Sequence, residues 1–164
     1  MTLTVHPSGE VRLTLPFAVG VEQALAFLDR KTTWVVRAQQ RLAERQAAAP
    51  PPPDREQIEE LRRAAKCDLP TRLARLAAAT GLRYTHLTIT SARTKWGSCS
   101  SRNRISLSLF LMALPEKLRD FVLLHELCHT VHHNHSAAFH ALLDRLCGGR
   151  EKELNRELRG YRIG

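Results

Sequence analysis

The stretch Val122-Leu123-Leu124-His125-Glu126-Leu127-Cys128-His129 sets two histidines four residues apart inside an otherwise apolar segment. Residues four apart lie one above the other on the same face of a helix, so His125 and His129 can direct two imidazole nitrogens at one metal ion. Glu126 can reach a water molecule on that ion and take its proton. The apolar neighbours indicate a buried helix, in which two histidines without a partner would be costly. The stretch therefore predicts a metal-binding helix with Glu126 as general base.

A third histidine completes the predicted site. His135 stands six residues after His129 and offers a third nitrogen. Three protein nitrogens leave a fourth position open for water, which is the arrangement expected of a catalytic zinc ion. His132 and His133 are alternative ligands if the helix continues past His129, but a fourth protein ligand would close the site. We therefore predict Zn²⁺ held by His125, His129 and His135, with His132 and His133 at the rim.

The periodicity of apolar residues predicts the surrounding elements. The first fifteen residues alternate around Pro7-Ser8-Gly9 and predict a β-hairpin, and residues 21–46 follow a helical period. Asp54 is expected to cap a helix that ends near Cys67, and a separate helix is predicted from Leu69 to Thr80, ending at Gly81. Two strands are predicted over 84–90 and 105–109, joined by a loop over 91–104. Three helices are predicted after them: one begun by Pro115 and Glu116, one capped by Ser136, and a short one around Leu154 and Leu158.

These elements predict an α+β fold, with a short sheet beside the metal-binding helix, preceded by an N-terminal β-hairpin and helices. A length of 164 residues is typical of one domain, which we expect to span 1–164. Within it, residues 1–46 form the hairpin and first helix, 47–53 a proline-rich linker, and 54–164 the helices and catalytic core. Proline lacks an amide donor, so the linker cannot continue the helix before it.

Composition excludes several classes of protein. With 43% hydrophobic and 25% charged residues, the chain is neither fibrous nor wholly disordered. Its most apolar run, 105–114, is too short to span a membrane, and the N-terminus has no secretory signal. We therefore expect a cytoplasmic protein without a membrane partner. The four cysteines form no C-x-x-C pair and are expected to be reduced thiols.

Positive charge is concentrated in one part of the chain. The formal net charge is +9, and residues 61–104 hold ten lysines and arginines against one acid. An excess of this kind favours a polyanionic partner, so a nucleotide or a nucleic acid bound through 61–104 is one prediction. A solvated basic surface is the other interpretation.

Three stretches carry a resemblance to a known family. They are Lys95-Trp96-Gly97-Ser98-Cys99-Ser100, His125-Glu126-Leu127-Cys128-His129, and Asn134-His135-Ser136 followed by Phe139. In these stretches the chain resembles the YgjP-like metal-dependent hydrolases, relatives of the SprT-like and WLM zincin metallopeptidases. The resemblance implies a compact zincin-like fold, a metallopeptidase activity and a third metal ligand at His135. Residues 47–66 have no counterpart in that pattern.

The loop with Trp96-Gly97-Ser98-Cys99 has two interpretations. In the first, Trp96 packs, Gly97 permits a bend and Cys99 is buried. In the second, the neighbouring cations Arg93 and Lys95 hold a substrate carboxylate, a phosphate or a developing oxyanion. The sequence does not choose among the candidates for stabilising an oxyanion, which are Arg93, Lys95, His132 and Tyr161.

Three functions are therefore predicted. The leading one is a zinc-dependent metallopeptidase that acts on a peptide or protein, with an extended substrate pairing along the strand 105–109. The second keeps the metal and hydrolyses a nucleotide or another phosphoanhydride. The third is a basic nucleic-acid-associated module that processes bound protein.

Overall fold

The computed structural model describes residues 1–6, 8–17, 19–47 and 52–163, and the chain divides into two compact units, Met1–Pro51 and Pro52–Gly164. Pro7 and most of the predicted linker therefore lie outside the described residues. The expectation of a single domain over 1–164 stays a prediction. None of the helices in the described ranges is long and apolar enough to cross a membrane.

The first unit contains the predicted hairpin and helix. Strands β1 (Thr2–Val5) and β2 (Val11–Thr14) pair antiparallel, with Leu3 opposite Leu13. Gly9 makes the turn with φ of 84°, a conformation that glycine adopts without strain, and its N–H donates to His6 O at 2.9 Å. Helix α1 (Val21–Ala47) follows. Both predictions are confirmed.

The second unit begins with a long helix whose ends follow their capping residues. Helix α2 spans Arg55–Thr80. Asp54 Oδ1 accepts from Gln57 N at 2.8 Å, and Asp54 N donates to Gln57 Oε1 at 3.0 Å. This reciprocal pair satisfies two otherwise unpaired donors. Gly81 ends the helix in the left-handed conformation, with φ of 72°.

The prediction of two helices in this segment is wrong, because α2 runs through Pro70 without a break. Proline inside a helix removes one hydrogen bond and costs about 3 kcal/mol. Ala65, Leu69 and Leu73 lie on one face of α2 and are fully buried. Burying each large apolar side chain contributes roughly 1.5–3 kcal/mol, which offsets the lost bond and keeps the helix continuous.

A three-stranded sheet lies in the second unit. Its strands are β3 (His86–Thr90), β4 (Gly97–Cys99) and β5 (Arg104–Ser108), in the order β3-β5-β4. Strand β5 pairs parallel with β3 and antiparallel with β4. The predicted loop over 91–104 therefore contains a strand. Because β5 is bonded on both sides, the prediction that a substrate pairs along 105–109 is wrong, and β4 forms the edge instead.

The remaining helices follow the sheet in the chain. A 3₁₀ helix (Leu109–Ala113) follows β5, and then come α3 (Glu116–Cys128), α4 (Ala137–Leu146) and α5 (Glu151–Leu158). Pro115 and Ser136 precede α3 and α4 as predicted, and the C-terminal helix is confirmed. The core side chains that are essentially inaccessible include Leu69, Leu73, Ile105, Leu107, Leu118, Leu123, Leu127, Phe139 and Leu143. The observed fold is α+β, as predicted.

An ion-pair cluster ties α2 to α3. Arg72 Nη1 lies 2.8 Å from Asp120 Oδ1 and Arg72 Nε 3.2 Å from Asp68 Oδ2, while Arg119 Nη1 donates to Asp68 Oδ2 at 2.8 Å. Both arginine side chains are about one-tenth exposed. One cation of the basic stretch is thus used to hold the helix that bears His125.

Candidate metal centre

Three imidazole rings converge where α3 ends and α4 begins. His125 lies in the last turn of α3, His129 is the residue that ends it, and His135 lies just before the Ser136 cap of α4. One ring nitrogen from each lies within 4.8 Å of the others, and His125 Nε2 is 3.1 Å from His135 Nε2. Two nitrogens on one tetrahedral zinc ion, each at about 2.0–2.1 Å, are roughly 3.3 Å apart. The three residues can therefore hold such an ion.

The protonation of the rings also suits a metal. His129 Nδ1 lies 2.9 Å from the carbonyl oxygen of His132, which can only accept, so Nδ1 donates and Nε2 keeps its lone pair. Burial, with the charges of the neighbouring imidazoles, lowers the pKa of His125 to about 4. Burial likewise lowers the pKa of His129. Both rings are therefore neutral at pH 7, as metal ligation requires.

Phe139 contacts all three histidines. Its ring stacks on His129 with centroids 4.5 Å apart and meets His125 and His135 edge-on, each at 4.9 Å. The Phe139 side chain is fully buried, and its amide donates to Ser136 Oγ at 3.4 Å. In the sequence, only the resemblance to the YgjP-like family singles out Phe139. Its position three residues after a helix cap places it one turn into α4, and that spacing is the signal that could have indicated a role at the site.

Glu126 lies inside the protein beside the histidines. It is 5% exposed, and its Oε2 atom has no hydrogen-bond partner among the described residues. Burial raises the pKa of Glu126 to about 7, against an opposing effect of the Lys95 charge. A buried carboxylate oxygen without a partner is costly, and a water molecule at the histidine cluster would satisfy it. This unpaired oxygen fits the role predicted for Glu126.

A cavity of about 400 Å³ opens beside Glu126 and His125. Besides His125 and Glu126, the polar side chains that line it are Thr94, Lys95, Asn155 and Tyr161. Two of the four candidates for stabilising an oxyanion, Lys95 and Tyr161, therefore lie at the cavity. The residues that line it are Thr94, Lys95, Trp96, Gly97, Phe121, Val122, His125, Glu126, Asn155, Leu158, Tyr161 and Ile163.

The other two candidates lie elsewhere. The Arg93 guanidinium lies over the Phe110 ring, 5.3 Å from its centroid, and Arg93 does not line the cavity. His132 touches the histidine cluster through its backbone carbonyl, which accepts from His129, and its side chain does not line the cavity. Lys95 is thus the predicted substrate-binding residue that the structure brings to the cavity.

Cys128 and His140 lie next to residues of the site but outside the group of three histidines. Cys128 is fully buried, and burial raises its pKa to about 12, which fits a core residue. His140 is exposed, and its Nδ1 lies 2.6 Å from Glu151 Oε1. That contact joins α4 to the start of α5 and was not apparent from the sequence.

Residues 52–161 match the family described as the YgjP-like, metallopeptidase domain. The chain belongs to the YgjP-like metallopeptidase family. The resemblance seen in the sequence is confirmed, and the match lies in the unit that carries the three histidines. No curated protein matches the chain. The crystal structure of the metallopeptidase zymogen of Pyrococcus abyssi abylysin is similar, with 21% sequence identity, a TM-score of 0.48, and coverage of 55% of this chain and 91% of that chain.

Membership of the YgjP-like metallopeptidases makes the chain a metal-dependent hydrolase with a metal cofactor. Among the described residues, His125, His129 and His135 form a group able to hold that metal.

Proposed function

We propose that the chain is a zinc-dependent peptidase in which His125, His129 and His135 hold Zn²⁺ and Glu126 is the general base. One observation carries the proposal: three imidazoles converge next to a buried carboxylate that has an oxygen without a partner among the described residues. Three nitrogen ligands with one open position are typical of catalytic zinc, whereas hard cations such as Mg²⁺ prefer oxygen ligands.

Different residues are proposed for proton transfer and for stabilising the oxyanion during hydrolysis. When bound, the zinc ion supplies Lewis-acid chemistry at its open position. Glu126 orients the attacking water, takes its proton, and returns a proton to the leaving amine. Lys95 and Tyr161, which line the cavity, are the side chains proposed to stabilise the developing oxyanion.

The free edge of β4 is proposed to hold the substrate backbone. Trp96 O accepts from Ser108 N at 2.8 Å, and Ser100 N donates to Arg104 O at 2.9 Å. In β4 and the residues next to it, the backbone N–H and C=O groups of the even-numbered residues therefore point toward β5. The alternation directs the N–H and C=O groups of Gly97 and Cys99 away from β5. An extended peptide can pair with these groups, and it would then pass Glu126, because Gly97 lies against that side chain.

The nucleotide and nucleic-acid hypotheses rest on the charge of residues 61–104, and part of that charge is neutralised within the fold. Arg72 pairs with Asp68 and Asp120, Arg62 with Glu59, and Arg75 lies 3.9 Å from Asp120. Peptide hydrolysis is the proposal because it uses the histidine cluster, the carboxylate and the free strand edge together.

The test compares zinc-loaded wild-type protein with Glu126→Gln on a library of unstructured peptides, with products identified by mass spectrometry. Wild type is expected to cleave peptides, and Glu126→Gln to keep its zinc while losing at least about a hundredfold in kcat. Glu116→Gln is the matched control, because Glu116 lies on the same helix with its side chain 76% exposed. Full activity of Glu126→Gln, or hydrolysis of nucleoside triphosphates in place of peptides, would contradict the proposal.

A further inference from the structure

The face of the sheet turned away from α3 carries a grid of cationic and hydroxyl side chains. Thr88, Ser106 and Ser98 lie opposite one another across β3, β5 and β4, and His86 lies opposite Arg104 in the neighbouring row. Together with Lys95 they line a depression of about 540 Å³. We call these six residues the basic sheet face.

The side chains of the basic sheet face point away from the hydrophobic core. Successive residues of a strand point to opposite faces, so Ile105 and Leu107 enter the core while Arg104 and Ser106 point outward. Among the described residues, the hydroxyl groups of Thr88, Ser98 and Ser106 make no hydrogen bond, and Lys95 and Arg104 form no ion pair. These side chains are therefore available to a ligand.

The charge of this face has one sign. Lys95 and Arg104 are positive at neutral pH, and the residues lining the depression include no aspartate or glutamate. Hydroxyl donors beside fixed cations suit an oxyanion ligand such as a carboxylate. No Phe, Tyr or Trp lines the depression to serve as a base-stacking platform, which favours a carboxylate-bearing peptide over a single-stranded nucleic acid.

The basic sheet face adjoins the proposed substrate path. Lys95 lines both this depression and the cavity beside Glu126. A peptide paired with the outer edge of β4 would alternate its side chains between the two faces of the sheet, so every second one would lie beside Ser98. Two strand spacings, about 9.6 Å, separate such a peptide from β5, and a glutamate and Arg104 can together span that distance.

Resting on the proposed peptidase function, we propose that the basic sheet face binds acidic side chains of the substrate. The favoured substrates are peptides with aspartate or glutamate at alternate positions beside the cleaved bond, and Arg104 is a specificity-determining residue.

The test uses zinc-loaded full-length protein and three fluorogenic peptides that differ at one residue, Glu, Gln or Lys, two positions from a mapped cleavage site. Wild type is expected to cleave the Glu peptide with about threefold to fivefold higher kcat/KM than the Gln peptide, the size expected of an exposed charge pair. Arg104→Gln is expected to bring this ratio close to one, and Arg104→Glu to reverse it. Arg104→Lys should keep most of the preference, and Arg63→Gln, an exposed arginine of α2 outside the face, should keep all of it.

Binding measurements separate this inference from the proposed function. If no peptide were cleaved, fluorescence anisotropy of the labelled Glu peptide would still measure its binding to the basic sheet face. Weaker binding to Arg104→Glu than to wild type would then support the inference. Cleavage with no preference in wild type, or the wild-type preference retained in Arg104→Gln and Arg104→Glu, would overturn the inference and leave the peptidase intact. Loss of binding to a DNA oligonucleotide in Arg104→Glu, with acidic-peptide binding unchanged, would also overturn it.

Discussion

The backbone of Gly97 lies so close to the carboxyl group of Glu126 that a Cβ atom at residue 97 would stand 2.7 Å from Glu126 Oε1 and 2.7 Å from its Cγ. A Cβ atom does not come this close to non-bonded side-chain atoms, so residue 97 has to be glycine for Glu126 to keep its place. The φ angle of Gly97 is not in the left-handed region, which makes the constraint one of space and not of backbone strain. Gly97 lies at the start of β4, and its close approach to Glu126 is a role that the sequence did not indicate.

Gly97→Ala should displace Glu126 and lower kcat by about a hundredfold, since a shift of about 1 Å in a catalytic group costs that much. Zinc content should stay at the wild-type value, because the three histidines are untouched. Gly20→Ala is the matched control, as a Cβ there meets nothing within 4 Å. Unchanged kcat for Gly97→Ala would show that the carboxyl group tolerates movement.

Phe139→Leu should weaken zinc binding by about tenfold, because the ring that holds the three imidazoles in place is lost while the core stays apolar. Competition with a metal chelator measures the affinity. Leu143→Ala on the same helix is the control, since Leu143 is also buried but takes no part in the three ring contacts. It should lower the free energy of unfolding by about 2–5 kcal/mol and leave zinc affinity at the wild-type value. Equal zinc affinity in Phe139→Leu and wild type would show that the Phe139 ring does not hold the three imidazoles in place.

Asp68→Asn should destabilise metal-free protein at pH 7 by about 1–3 kcal/mol, because it breaks the ion-pair cluster between α2 and α3. Burial alone would raise the pKa of Asp68, but the hydrogen bond from Arg119 and the charges of Arg72 and Arg119 outweigh it and lower the pKa below 3.8. A lowered native pKa means that the stabilisation is full above 3.8 and is lost as the pH falls through the native value.

Urea denaturation of wild type and Asp68→Asn at several pH values checks this prediction. The difference in unfolding free energy should be constant from pH 7 to about pH 5 and shrink below pH 4. Glu59→Gln, which loses an exposed pair with Arg62 on the same helix, should differ from wild type by less than about 0.5 kcal/mol throughout. A difference for Asp68→Asn that does not change with pH would contradict the assignment to its charge.

The sequence was most informative where chemistry and local structure coincide. The spacing of His125, His129 and Glu126 is a property of one helix, and the caps at Asp54 and Ser136 act within four residues, so all could be predicted. Strand β4 could not, because Gly97-Ser98-Cys99 is too short to show alternation and is defined by its pairing with β5. The contacts of Phe139 also depend on how α4 folds back on α3. Tertiary packing determined each feature that was missed.

Zinc content of purified protein, measured by inductively coupled plasma mass spectrometry, tests the proposed three-histidine site most directly. Wild type, His135→Ala and His133→Ala are purified side by side, His133 being an exposed histidine outside the cluster. One zinc ion per chain is expected in wild type and His133→Ala, with a sharp reduction in His135→Ala, because two nitrogen ligands hold zinc far less tightly than three. Wild-type protein that stays free of metal after zinc is supplied, or His135→Ala that retains a full complement, would contradict the assignment.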